Sequence, residues 1–200
     1  MLALLRIFVF VLFNISLIIS IKSYADDSDK GIQALIEKDY DKALYYLSFY
    51  AVQGDDKAQY NLGIMYRDGV GVEINKQEAL GWLILSADQN NMLAQYALGL
   101  AYLKGEGVTV NYKAALRQFK KAAYQGHPSS QVNIGNMFFR GQGVKKDYIK
   151  AHMWWNIAKE KGLQGAFENL LMVENLMTET EINESIELFN ACMKKTLPEC

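Results

Sequence analysis

Three Gly-x-Gly-Val runs, beginning at Gly69, Gly105 and Gly141, carry the residue type and spacing that lets backbone amides cradle a phosphate. That chemistry needs a strand before the glycines and a helix N-terminus after them, with Lys-Ser or Lys-Thr closing a nucleotide loop. Here a helical pattern precedes each run, no Lys-Ser or Lys-Thr follows it, and the triplet recurs unchanged in kind. The runs are expected to be turns between helices. His127 and His152 are the only histidines, and neither has a partner at His-x-x-x-His or Cys-x-x-Cys spacing, so no metal ligand set is legible. No serine occupies a Gly-x-Ser-x-Gly elbow, and no nucleophile–base pair can be read from spacing. The chain is therefore expected not to be an enzyme and to hold no cofactor. Cys192 and Cys200 are the only cysteines. In an oxidising compartment they are expected to pair. On one continuous helix they would stand about 12 Å apart, too far for a bridge. Pro198 makes such a helix unfavourable, so the tail can fold back.

The elements that position these residues are legible because the chain repeats itself every 36 residues. Ala58, Ala94 and Ser130 share a phase, as do Leu62, Leu98 and Ile134, then Gly63, Gly99 and Gly135, then Tyr66, Tyr102 and Phe138. Ala79, Ala115 and Ala151 follow at the same offset. A strict period of this length marks a stacked solenoid, in which no unit buries its apolar face alone. Each unit reads as two antiparallel helices, the first covering about 57–68, 93–104 and 129–140, the second about 76–89, 112–125 and 148–161. Asp39, Asn75, Asn111 and Asp147 are placed to cap the second helices, because each short side chain can accept from first-turn amides. Gly54, Asn90, Gly126 and Gly162 stand where those helices must close in the left-handed conformation. The glycine of the Leu62–Gly63 column lets the facing helix approach, and Leu83, Phe119 and Trp155 are the large residues on its side.

The organisation expected is residues 1–25 as a signal peptide, 26–54 as a diverged half-repeat, 55–162 as three repeats, and 163–200 as a closing half-repeat with a capping helix. After Gly162 the period persists through Ala166 and Leu170, then Leu171 replaces glycine. Thr178 and Glu181 form a capping box for a last helix through about Lys194. The result is an all-α, short right-handed superhelical solenoid. At the N-terminus, Arg6 precedes the uncharged residues 7–21, and Ser23-Tyr24-Ala25 offers a small-x-small cleavage site between Ala25 and Asp26. A run of fifteen is short of the roughly 20 residues that span a bilayer, so membrane attachment enters only if this segment stays uncleaved.

Without residues 1–25 the chain carries 19 basic and 22 acidic residues, which supplies no surface for displacing counterions from nucleic acid. A protein or peptide is the expected partner. A second stripe on the first helices, Tyr60, Ile64 and Arg67, then Tyr96, Leu100 and Leu103, then Val132, Asn136 and Phe139, has the phase that lines the concave surface of tetratricopeptide-like solenoids. It is edged by Lys57, Lys104 and Arg140, and either serves as a groove or packs on the next unit. Gln59, Gln95 and Gln131 share another phase and are expected to bond between units.

The sequence Ala58-Gln59-Tyr60-Asn61-Leu62-Gly63-Ile64-Met65-Tyr66, followed by Gly-x-Gly-Val, an Ala-x-x-Trp position and a closing glycine, resembles the Sel-one-like repeat (SLR) family, the longer relative of the tetratricopeptide repeat. The likeness covers about residues 29–200. Gln118 stands where the family's second helix usually has Trp, and Ser130 where its first usually has Ala. Trp154-Trp155-Asn156-Ile157-Ala158, Met177-Thr178 with Glu181-Ile182, and the two late cysteines resemble secreted bacterial members. The resemblance implies a protein-binding α-solenoid, often at the bacterial envelope, and hence a periplasmic or secreted chain. The alternative it leaves is a cell-wall protein that binds peptidoglycan or another glycan, with Tyr60, Tyr96 and Phe139 as stacking platforms, or a β-lactamase-like protein. Relatives linked to β-lactams carry a cysteine pair in each repeat, which this chain lacks.

Overall fold

The computed structural model describes residues 29–194. Among these the chain is all-helical: α1 (29–36), α2 (Tyr40–Val52), α3 (Asp56–Asp68), α4 (Lys76–Asp88), α5 (Met92–Lys104), α6 (Tyr112–Tyr124), α7 (Pro128–Arg140), α8 (Tyr148–Lys159), α9 (Gln164–Glu174) and α10 (Glu179–Lys194). The pairs α3–α4, α5–α6 and α7–α8 pack most closely, and α2–α3, α4–α5, α6–α7 and α8–α9 join them in series. This is a helical solenoid. The expected signal segment and Cys200 lie outside the described residues.

Alternating size holds each pair together. A Cβ on Gly63 would lie 2.9 Å from Leu83, and one on Gly99 or Gly135 would meet the ring of Phe119 or Trp155 at 2.5 Å. These glycines are therefore sockets for the large second-helix residue, and all three of those residues are buried. The Trp155 indole N–H adds a hydrogen bond to the Val132 carbonyl at 3.2 Å.

Each second helix begins at the expected cap: Asp39, Asn75, Asn111 and Asp147 accept from the amides of Lys42, Glu78, Ala114 and Lys150. Each ends at a residue of positive φ, at Gly54, Asn90, Gly126 and Gly162. A second row of caps opens the first helices, where Asp55, Asn91 and His127 accept from Ala58, Ala94 and Ser130. Those residues are also 36 apart.

The Gly-x-Gly runs are turns. Gly69, Gly105 and Gly141 close the first helices at φ 72, 78 and 69°. The second glycine of each run has another task. At Gly71, Gly107 and Gly143 φ is again positive, and a Cβ would strike Tyr40, Lys76 and Tyr112, the first residues of the second helix one unit earlier. The loop lies on its neighbour, so the space a phosphate would need is filled by protein.

Between units runs a ladder of glutamines. Gln59, Gln95 and Gln131 each donate to a carbonyl of the preceding second helix, at Ala51, Ala87 and Ala123. Gln89 then donates to Gln59 Oε1 and Gln125 to Gln95 Oε1, both at 2.8 Å. The next rung is missing. Lys161 occupies the phase of Gln89 and Gln125, and Gln131 Oε1 is buried with no partner.

The closing helix departs from simple stacking. Thr178 and Glu181 form the capping box, with the Thr178 amide and hydroxyl donating to Glu181 at 2.8 and 2.9 Å. The same two bonds hold the Glu181 carboxyl below its ordinary range. From there α10 turns back onto α8. The outward residues Phe167 and Leu171 of α9 stay exposed.

Candidate interaction surface

The first-helix stripe is assembled along α3, α5 and α7, and every member except Lys104 and Arg140 is half-buried. Tyr60 and Ile64 pack against the cluster of Leu83, Ala87, Ala94, Ala97 and Leu98, which belongs largely to the following unit. Partial burial raises the Tyr60 phenol above its ordinary value, opposed by the charge of nearby Arg67. Tyr96, Leu100, Leu103, Val132 and Phe139 lie in the same way against the cluster centred on Phe119, Ile134 and Trp155. The side chains thus do two things: their inner faces seal the joints between units, and their outer edges remain in water.

Polar members are less free than charge alone suggests. Arg67 donates from Nε and Nη2 to both carboxylate oxygens of Asp68 at 2.7 Å, and its guanidinium holds the Asp68 carboxyl below the usual range. Asn136 accepts from Asn169 of α9 at 3.3 Å. Lys57, Lys104 and Arg140 are exposed, and Leu93, on the same helices, is 42% exposed.

Both histidines are structural in placement. His127 caps α7 through Nδ1, which accepts from the Ser130 amide at 3.2 Å, and its ring lies 4.4 Å from that of Tyr96 at a tilt of 41°. Burial lowers its affinity for a proton. His152 on α8 is 2% exposed and forms a connection that spacing did not reveal. Its Nδ1 lies 2.8 Å from Ser185 Oγ on α10, and its Nε2 lies 3.1 Å from Glu174 Oε1 on α9. Serine, histidine and carboxylate follow one another as in a hydrolytic relay. Ser185 is completely buried, however, so its oxygen has no approach for a substrate carbonyl. The array ties three helices together. Cys192, buried on the same helix, has its Sγ 3.8 Å from Met153 Sδ.

Among the described residues no group of three or more His, Cys, Asp or Glu converges on a metal position, and no helix is long and apolar enough to cross a membrane.

Two solved structures share this arrangement. A Sel1 repeat protein from Oxalobacter formigenes is 33% identical, with a TM-score of 0.68 over 72% of this chain and 59% of its own. The protective antigen c5321 of uropathogenic Escherichia coli strains, described as displaying an SLR fold, is 27% identical, with a TM-score of 0.52 over 80% of this chain and 42% of its own. The chain thus spans only about 59% and 42% of the lengths of these relatives. No curated protein sequence matches it. Residues 29–51, 56–91, 93–127 and 128–163 each match the Sel1 repeat, and the chain belongs to that family.

Proposed function

We propose that this chain is a scaffold of the bacterial cell envelope that holds another protein against the face of its first helices. Sel1 repeats generally serve as protein–protein interaction scaffolds. The observation that carries the reading is a contrast in burial. The stripe that needs sealing, Leu62, Leu98 and Ile134 with Leu83, Phe119 and Trp155, is removed from water. One position further round, Tyr60, Ile64, Tyr96, Leu100, Leu103, Val132 and Phe139 keep an accessible edge, beside the exposed Leu93, Lys104 and Arg140. Apolar edges flanked by cations suit a helix or extended peptide with acidic residues.

The envelope location is supported by the charge, apolar run and small-x-small site of residues 1–25, with processing between Ala25 and Asp26. Delivery to an oxidising compartment would also let Cys192 and Cys200 pair. The c5321 relative is described as a protective antigen, a description compatible with an exposed location.

The test is photocrosslinking in cells from Leu93 and Lys104, with Glu73 and Thr109 in the turns as controls. One dominant protein adduct from the first pair, lost on Lys104→Glu with Arg140→Glu, supports the reading. Equal adducts from the control positions, or an adduct only with peptidoglycan fragments, would refute it.

A further inference from the structure

We propose that the outer face of α2 and α4 is a second docking site, shaped for an acidic amphipathic helix of a partner protein. The repeat itself supplies the template. On α8, Met153, Trp154 and Ile157 are buried, and α10 packs on this helix with Cys192 against Met153. Moving back 72 residues along the period reaches Gly81, Trp82 and Leu85 on α4, and 36 more reaches Tyr45, Tyr46 and Phe49 on α2. These are the same positions of the same helix in earlier units. Tyr46 and Trp82 lean onto the core beneath them, whereas Tyr45 is 70%, Phe49 52% and Leu85 49% exposed, with no helix over them among the described residues. A Cβ added to Gly81 would meet nothing within 4 Å, and beside it lies an open surface depression of about 390 Å³ lined by Gln77, Glu78, Gly81, Trp82 and Leu85, where the Glu78 carboxylate is engaged by the Trp82 indole N–H at 2.9 Å. Apolar side chains clustered in this way mark an interaction surface.

The occupant is defined by two further features. α10 meets the core around α8 through Ser185, Phe189 and Cys192, the three- and four-residue spacing of one helical stripe, while Glu179, Glu184 and Glu187 stay in water. One unit on, α6 carries Arg117 and Lys121 at the phase of Gly81 and Leu85, with Lys113 and Lys120 and no acid. A helix with α10's apolar stripe and acidic flank would therefore place its carboxylates beside those cations. Gln118, which stands at the phase of Trp82 and Trp154, keeps a buried Oε1 without a partner. This surface is separate from the first-helix stripe and stands or falls independently of it.

A fluorescein-labelled peptide with the sequence of residues 178–194, carrying Cys192→Ser, is a direct probe. Anisotropy with the purified full chain should show saturable binding, weakened at least tenfold by Leu85→Glu, by Arg117→Glu with Lys121→Glu, and by raising salt. Lys104→Glu, on the first-helix face, should leave it unchanged. No saturable binding, or binding indifferent to Leu85→Glu, would overturn the proposal. So would a dimer in light scattering that Leu85→Glu dissociates, which assigns the face to a second copy. Binding that appears only after removal of residues 1–25 would assign it to the chain's own N-terminal segment, and overturn it equally.

Discussion

Replacing Lys161 with glutamine should stabilise the chain, because it supplies the rung of the glutamine ladder that is missing between α7 and α8. The backbone at that point already follows the earlier units: the Lys161 amide donates to the Ala158 carbonyl at 3.1 Å, as Gln125 does to Ala122 and Gln89 to Ser86. A glutamine there starts from the same place as the two that reach their partners at 2.8 Å. The acceptor it would meet, Gln131 Oε1, is buried and unpaired, a condition that costs roughly 1–3 kcal/mol. Ordering the new side chain and losing a cation near a helix C-terminus offset part of the gain. The net expected is about 1 kcal/mol, or a rise of roughly 2–4 °C in Tm for a domain of this size. Circular dichroism melts of Lys161→Gln, Gln131→Ala and the double variant form a cycle that isolates the contact. If Lys161→Gln stabilises the Gln131→Ala background equally, the gain is local to the helix end and the ladder argument fails. No gain in either background refutes it as well.

Gly99→Ala should lower stability by about 1–3 kcal/mol, read as a drop in urea midpoint, because its Cβ meets the buried Phe119 ring at 2.5 Å. His127 has a depressed proton affinity in the folded chain. The unfolded chain therefore takes up the proton first, and the cap's stabilisation is complete above about pH 6.5 and lost as pH falls through the folded value. Melting curves from pH 7.5 to 5 should slope for the native chain and flatten for His127→Asn, which keeps a cap of the kind at Asn91. Ser185→Ala should cost about 1–2 kcal/mol and speed amide exchange in α9 and α10 while leaving α3 to α6 protected, since it strips His152 of its 2.8 Å partner.

The period made most of the fold legible, since each column states what its position must do. The socket glycines, the second-helix caps and the left-handed closures recur in phase, and the structure places them as those columns imply. The first-helix caps were harder to see, because Asp55, Asn91 and His127 share an acceptor but no residue type. The tie among His152, Glu174 and Ser185 was invisible for another reason. It spans 22 and 33 residues across a break in the repeat, where no spacing rule applies. For the first-helix stripe the sequence located the residues but could not say how deeply they sit, because burial there depends on the neighbouring unit. Tyr60 and Ile64 are partly sealed by residues one repeat later, a quantity that only the stacked structure contains.

The C-terminal end of the solenoid departs from the pattern in three ways at once. Lys161 breaks the ladder, Leu163 caps α9 without a side-chain bond, and Leu171 stands in place of the socket glycine. An end so depleted would be the first to open in a chain whose stability is a sum of neighbour contacts. The return of α10 answers all three losses from the flank. Through Ser185 and His152 it is fastened to α8, and through His152 and Glu174 the fastening extends to α9. On this argument α10 is a clasp for the last joint, and its acidic amphipathic form follows from that task. The earlier units need no clasp, because their ladder is complete. On the matching face of α2 and α4, Tyr45, Phe49 and Leu85 are therefore free of that duty, which is the condition under which an exposed apolar surface can serve a partner.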